Sequence, residues 1–199
     1  MRDAREVVPL SSSAGTPDSV RSPDFGLAPG QSLYAKFVTT AGSFSCLLSH
    51  EGAPISVRAF VDLARGERAW RDPRSGVDTL RPLYAGTLFH RIIPGFLVQG
   101  GDPTGTGTGG PGFSLADENT SVSSFDRAGI LAFANRGPNS NGSQFFVTDG
   151  PARHLDGRYT VLGLCAGEEV IARIAAAPRG ERDRPVRPVV LTRVEISRR

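Results

Sequence analysis

Cysteine is scarce in this chain, and its scarcity excludes two chemistries. Cys46 and Cys165 are the only cysteines among 199 residues, far apart and each inside an apolar run. No CxxC and no Cys/His spacing exists, so zinc chelation and thioredoxin-type redox chemistry find no support. Each reads as a buried small hydrophobe, and whether the two meet in space stays open. Long apolar runs are missing as well. No stretch approaches the roughly 18 residues of a membrane span. No apolar segment follows the N-terminal charges, so no signal peptide is read and a cytoplasmic location is expected. A periplasmic or secreted chain whose leader had been removed would look the same. An excess of one charge is also lacking. Twenty-three basic residues face twenty acidic ones, a net charge of +3, which reads as ordinary solubilising charge rather than a nucleic-acid surface.

What remains is a hydrophobic content of 39%, enough for one domain with a sizeable core. Residues 1–30 are rich in Ser, Pro, Gly, Asp and Ala and are read as a flexible N-terminal tail, with one domain over 31–199. Leu33 to Leu48 alternates as a hairpin around Thr40-Ala41-Gly42. Pro54 to Ala64 reads as a helix with Pro54 in its first turn and Gly66 as its stop. Glu67 to Pro82 is a long polar loop, with Trp70 as its anchor. Strands follow over Tyr84–Gln99, in residues 129–148 on both sides of an Asn/Gly turn cluster, and over Thr160–Cys165. Glu168 to Ala177 reads as a second helix, Arg179 to Arg187 as a charged loop, and Val189 to Ile196 as a last strand suited to closing the sheet against the first. About eight strands and two helices point to a closed barrel capped by helices.

Three sets of residues test other chemistries. Gly105-Thr106-Gly107-Thr108-Gly109-Gly110 satisfies GxGxxG, but Pro111-Gly112 follows where a helix N-terminus is needed to aim donors at phosphate. A tight loop is the better reading. His90 and His154 with Ser143 lack a third group, an oxyanion hole and the GxSxG elbow, so a hydrolase set is unsupported. The acids of Ala116-Asp117-Glu118-Asn119 read as a turn or solvated face rather than an acid/base pair.

The chain is organised around residues 89–103, FHRIIPGFLVQGGDP. This stretch sets one permanent cation, Arg91, among apolar strand residues, with Gln99 as a neutral donor and acceptor. Such a cation is costly to bury unless its donors are used, and snorkelling from a sheet edge is the bland alternative. Together with GTGTGGPGF, ADEN, GILAFANRGPNSNGSQFFVT and HLDGRYTVLG, in this order, the stretch resembles the cyclophilin family of peptidyl-prolyl cis-trans isomerases, especially its bacterial members. The resemblance covers roughly residues 33–197. It implies a mainly β fold, a closed eight-stranded antiparallel β-barrel capped by two α-helices, with the active groove on the barrel's outer face.

The activity so implied needs no nucleophile, metal or cofactor. Rotating an X-Pro amide means losing its double-bond character, against a barrier of roughly 18–20 kcal/mol. A catalyst gains only from contacts stronger in the twisted state than in either planar one. Arg91 is the expected donor, because its guanidinium stays charged and presents a rigid fork. By resemblance, Phe96, Leu97, Phe146 and Leu155 form the proline pocket. Gln99 is expected to steady Arg91 and touch the substrate, Ala134, Asn135 and Gln144 to line the backbone track, and His90, His154 and Tyr159 to border the groove. Read singly, Phe96, Leu97 and Phe146 are ordinary barrel core. The expected partners are proline-containing peptides and unfolded or folding chains, with no nucleic acid, no membrane span and a monomeric state. A proline-peptide binding module or chaperone without turnover is the alternative. Leu97 and Phe133 stand where the family commonly has Met, His154 where many members have Trp, Tyr159 where many have His, and Arg136 where a small residue is usual. The changed Trp position predicts weak binding of the family's inhibitor, cyclosporin.

Overall fold

The computed structural model describes residues 23–199. The part of the expected tail over residues 1–22 lies outside them. Within 23–30, Phe25 and Leu27 pack against the core, and the Asp24 carbonyl accepts from Arg58 at 3.2 Å.

β1 (Leu33–Thr39) and β2 (Gly42–Leu48) form the expected hairpin. Alternation buries Leu33, Ala35 and Phe37 on one strand and Phe44, Cys46 and Leu48 on the other, and the stacked rings of Phe37 and Phe44 sit 4.8 Å apart. α1 (Pro54–Arg65) buries Val57, Phe60, Val61 and Ala64. Gly66 ends it with φ of 75°, where a Cβ would lie 2.6 Å from the backbone of Arg81 and Pro82. The helix start is completed from a distance. The Glu118 carboxylate accepts from the Ile55 and Ser56 N–H groups at 3.1 and 2.6 Å, an acid at a helix N-terminus. The acid pair is therefore a clamp and not a solvated face: Asp117 in turn accepts from Asn139 and Asn141.

The long loop contains a small ribbon, β3 (Trp70–Asp72) paired with β4 (Val77–Thr79). The alternation there is too short to read. Trp70 anchors it: the ring is buried and its N–H donates to the Arg81 carbonyl at 2.9 Å.

The other strands are β5 (Thr87–Leu88), β6 (Arg91–Ile93), β7 (Leu97–Gly100), β8 (Ile130–Phe133), β9 (Phe145–Thr148), β10 (Val161–Ala166) and β11 (Val190–Arg198). They form one antiparallel sheet ordered β5-β11-β1-β2-β10-β8-β9-β7-β6. Its two ends, β5 and β6, are pieces of one run of chain. Phe89 N–H donates to Val189 and His90 N–H to Gln99, each at 3.0 Å, so the run passes its pairing from β11 to β7 and the sheet returns on itself. With that run counted once, the strands number eight, as expected. α2 (Glu168–Ala175) buries Val170, Ile171 and Ile174 and stops two residues short of the expected Ala177. Inside, Phe37, Phe60, Tyr84, Phe89 and Phe145 form a continuous set of ring contacts. Cys46 and Cys165 stand opposite each other in the β2–β10 register and are joined by a disulfide. Among the described residues no helix is long and apolar enough to cross a membrane.

Candidate active site

Strand register builds the site. Arg91 on β6 stands opposite Gln99 on β7, Gln99 opposite Phe146 on β9, and Phe146 opposite Ala132 on β8. Successive strand residues point to opposite faces, so this row of four shares one face, the outer one. Their chain neighbours Ile92, Val98, Phe145, Leu131 and Phe133 point inward and belong to the barrel core. Of this row Phe146 and Ala132 belong to a second apolar cluster, in which Leu97, Phe146 and Leu155 are buried and Phe96, Ala134 and Tyr159 pack at the margin. These aromatic and aliphatic residues are thus a separate pocket and not barrel core.

Arg91 is not buried. Its side chain is 40% exposed and its guanidinium carbon lies 6.0 Å from the centre of the Phe96 ring. That distance is the outer limit of a cation–π contact. The cation stands at the rim of the apolar pocket, where its donors remain usable. Gln99 faces Arg91 across the strands, but its amide donates to Gln144 Oε1 at 3.0 Å rather than steadying the guanidinium. Gln144 in turn donates to the carbonyls of Gly107 and Gly109 at 3.1 and 2.9 Å. It thereby ties the glycine-rich loop to the groove.

That loop aims its backbone donors inward. The Asp102 carboxylate accepts from the N–H groups of Thr104, Gly107 and Gly109 and from the Thr104 hydroxyl, at 2.6 to 3.0 Å. Donors that a dinucleotide phosphate would need are occupied by the protein's own anion. Burial alone would raise the Asp102 carboxyl, but the donors of Thr104, Gly109 and Gly107 outweigh it and hold the group below the usual carboxylate range. His90 lies beneath the loop, only 7% exposed, and a Cβ on Gly107 would stand 3.2 Å from its ring. Burial pushes its imidazole down, against the pull of Asp102. Among the described residues no group of three or more His, Cys, Asp or Glu is placed to hold a metal.

This groove can be compared with known proteins. The family model for "Cyclophilin type peptidyl-prolyl cis-trans isomerase/CLD" matches residues 34–196. The chain belongs to the cyclophilin family of peptidyl-prolyl cis-trans isomerases. Peptidyl-prolyl cis-trans isomerase B of Streptomyces anulatus is 45% identical over 173 residues, which is 85% of this chain and 99% of that protein. Peptidyl-prolyl cis-trans isomerase A of Mycobacterium tuberculosis is 40% identical, over 85% of this chain and 95% of its own. A cyclophilin-type isomerase of Cryptosporidium parvum, whose crystal structure was determined in the presence of the dipeptide Ala-Pro, matches with a TM-score of 0.70 and 31% identity, over 82% of this chain and 98% of that one.

In this cyclophilin the other expected residues line the groove or its rim. The exposed His154 ring lies 5.1 Å from Phe96, across the mouth of the pocket. The Tyr159 ring meets Phe146 edge-on at 5.3 Å. Ala134 N–H donates to the Gln144 carbonyl, and the Asn135 amide donates to the Arg158 carbonyl at 3.1 Å. Beside the apolar pocket, and lined in part by Gln99, Ala134, Asn135 and Gln144, runs a cleft of about 610 Å³ walled by the glycine-rich loop. Arg136 crosses between its walls, donating to the Thr108 carbonyl at 2.7 Å.

Two residues at the site were not legible in the sequence. Phe125, fully buried, stacks on Phe146 at 5.7 Å and forms the back of the pocket. A lone aromatic in the polar run Ser123-Ser124-Phe125-Asp126 is a signal that can be read in hindsight. Asp183, from the loop after α2, lies 3.8 Å from Arg91 Nε, and nothing in the local sequence points to it.

Proposed function

We propose that this chain catalyses rotation about X-Pro bonds in peptides and folding chains, with Arg91 as the donor to the twisted amide. The observation that carries the reading is one permanent cation held at the rim of an outer apolar pocket. Loss of resonance returns a lone pair to the amide nitrogen, and a fixed guanidinium stabilises that electron density more than it stabilises either planar form. Phe96, Leu97, Phe146 and Leu155 hold the proline ring. Gln99, Gln144, Ala134 and Asn135 hold the flanking backbone, and His154 and Tyr159 border the mouth. The Cryptosporidium relative's structure in the presence of Ala-Pro supports the same ligand class here. The test is the cis-to-trans rate of an Ala-Pro peptide with the intact chain and with Arg91→Ala. The intact chain is expected to accelerate it, and the variant to lose about 100-fold or more of kcat/KM, the size seen for removal of a preorganised donor. Proline-peptide binding without acceleration would mean a binding module instead.

Weak cyclosporin binding is part of this proposal. His154 offers less apolar area than an indole and a different donor position, and it is exposed rather than packed down. Titration of cyclosporin against isomerase activity is expected to give inhibition well short of nanomolar; nanomolar inhibition would sink the expectation.

A further inference from the structure

We infer that Asp183 is a positioning residue that holds the Arg91 guanidinium by its Nε edge and turns its terminal donors into the groove. The inference rests on the isomerase reading above. The loop over residues 179–187 is latched to the groove wall at three points. Arg179 donates to the Ile92 carbonyl on β6 at 3.5 Å. Arg184 donates to the Gly105 carbonyl on the glycine-rich loop. Between these latches the Asp183 carboxylate bridges two cations, with Oδ2 at 3.8 Å from Arg91 Nε and Oδ1 at 3.5 Å from Arg179 Nε.

The backbone that presents this carboxylate is unusual. Arg182 and Asp183 both have φ of 57°, a left-handed pair without glycine. Such conformations are uncommon for residues other than glycine and persist where surrounding contacts over-determine them. Here the latches at Arg179 and Arg184 do so, and the result is a carboxylate facing the cation that does the chemistry.

Charge geometry gives the role. An anion on the Nε edge of a guanidinium leaves both Nη groups free for another acceptor. Among the described residues no protein acceptor engages the Arg91 Nη groups in a hydrogen bond, and the centre of the Phe96 ring lies 6.0 Å from the guanidinium carbon. The side chain thus has a carboxylate and a ring as its neighbours. A free Arg side chain has much rotamer freedom to lose, and holding it before substrate arrives removes part of that loss from the reacting step. Both partners are more than a third exposed, so the pair adds little to folding stability. Its value lies in orientation.

The experiment compares the intact chain with Asp183→Asn, Asp183→Glu and Arg91→Ala in the peptide assay. Asn accepts left-handed backbone as readily as Asp, so Asp183→Asn removes the charge and leaves the turn. We expect Asp183→Asn to lower kcat/KM about two- to five-fold, mainly through kcat, the range of an exposed ion pair. Asp183→Glu should recover part of the loss. The deficit should shrink in about 1 M salt, where the Debye length is about 3 Å. The Arg91 Nε–Hε signal in a ¹⁵N spectrum, assigned by its loss in Arg91→Ala, should shift in Asp183→Asn while the thermal midpoint stays put. A rate equal to or above that of the intact chain, or an unmoved Arg91 signal, overturns the role of Asp183 and leaves the isomerase reading standing if Arg91→Ala is still inactive. No acceleration by the intact chain overturns that reading, and the positioning role with it.

Discussion

Phe145 and Phe146 are consecutive on β9, chemically identical, and exposed by only 0% and 3%. One points into the barrel, where it meets Phe37, Phe60, Tyr84 and Phe89. The other points outward, where it meets Phe125 and Tyr159. The inner face is enclosed on all sides by the returning sheet and the two helices. The outer face is covered only by loops, which are tied together where the Asp156 carboxylate accepts from Phe125 N–H at 2.6 Å, and it stays open where Arg91 and His154 stand. Burial in the free protein therefore does not distinguish core from pocket. What distinguishes them is whether the cover is a closed sheet or a pair of loops with a polar rim.

The comparison breaks first, if it breaks, at these two rings. Phe145→Ala should destabilise by about 3–5 kcal/mol, since an enclosed cavity cannot collapse. Phe146→Ala should destabilise by roughly half as much, because its site already opens to water, yet lose most of the isomerase rate. Urea unfolding and the peptide assay on both variants read the two effects. Equal stability losses with equal residual activity would erase the distinction.

A smaller effect comes from the loop beside the groove. The Asp102 carboxyl is held below its usual range in the folded chain. Its contribution is therefore present above the unfolded value of about 3.9 and lost as pH falls through the folded one. Asp102→Asn should reduce stability by about 1–3 kcal/mol at pH 7, the size of hydrogen bonds to a charged group. The gap from the wild type should close in acid below pH 4, and urea midpoints across pH 2–7 measure it. A gap that widens in acid would contradict the assigned direction.

The smallest expected effect sharpens the contrast most. Arg91→Ala should change stability by no more than about 0.5 kcal/mol, as for an exposed surface position, while abolishing most of the rate. A large stability loss would mean that the cation supports the fold rather than the chemistry.

Much of this was legible in advance. The hairpin, both helices and the closing pair of first and last strands follow from alternation, helical spacing and the Pro54 and Gly66 punctuation. The motif resemblance named candidate groove residues, and the register brings Arg91, Gln99 and Phe146 together on one face. Other features were not legible. The β3–β4 ribbon is too short to carry a period. The loop donors around Asp102 and the Glu118 clamp on α1 join residues up to 63 apart, and side-chain-to-backbone bonds leave no periodic trace. β8 and β9 are buried on both faces, so their residues read as continuous apolar runs with no signal for which side is inside.

Sequence alone determined the two helices and the longer strands, because local sterics and the spacing of apolar residues act over a few neighbours. It also determined the family, through long motifs in order. Only the tertiary structure decided that Phe125 backs the pocket, that Cys46 meets Cys165, and that Asp183 stands beside Arg91. Those are matters of register and closure, where a strand shifted by one residue would exchange its faces, and no local pattern in the chain carries that choice.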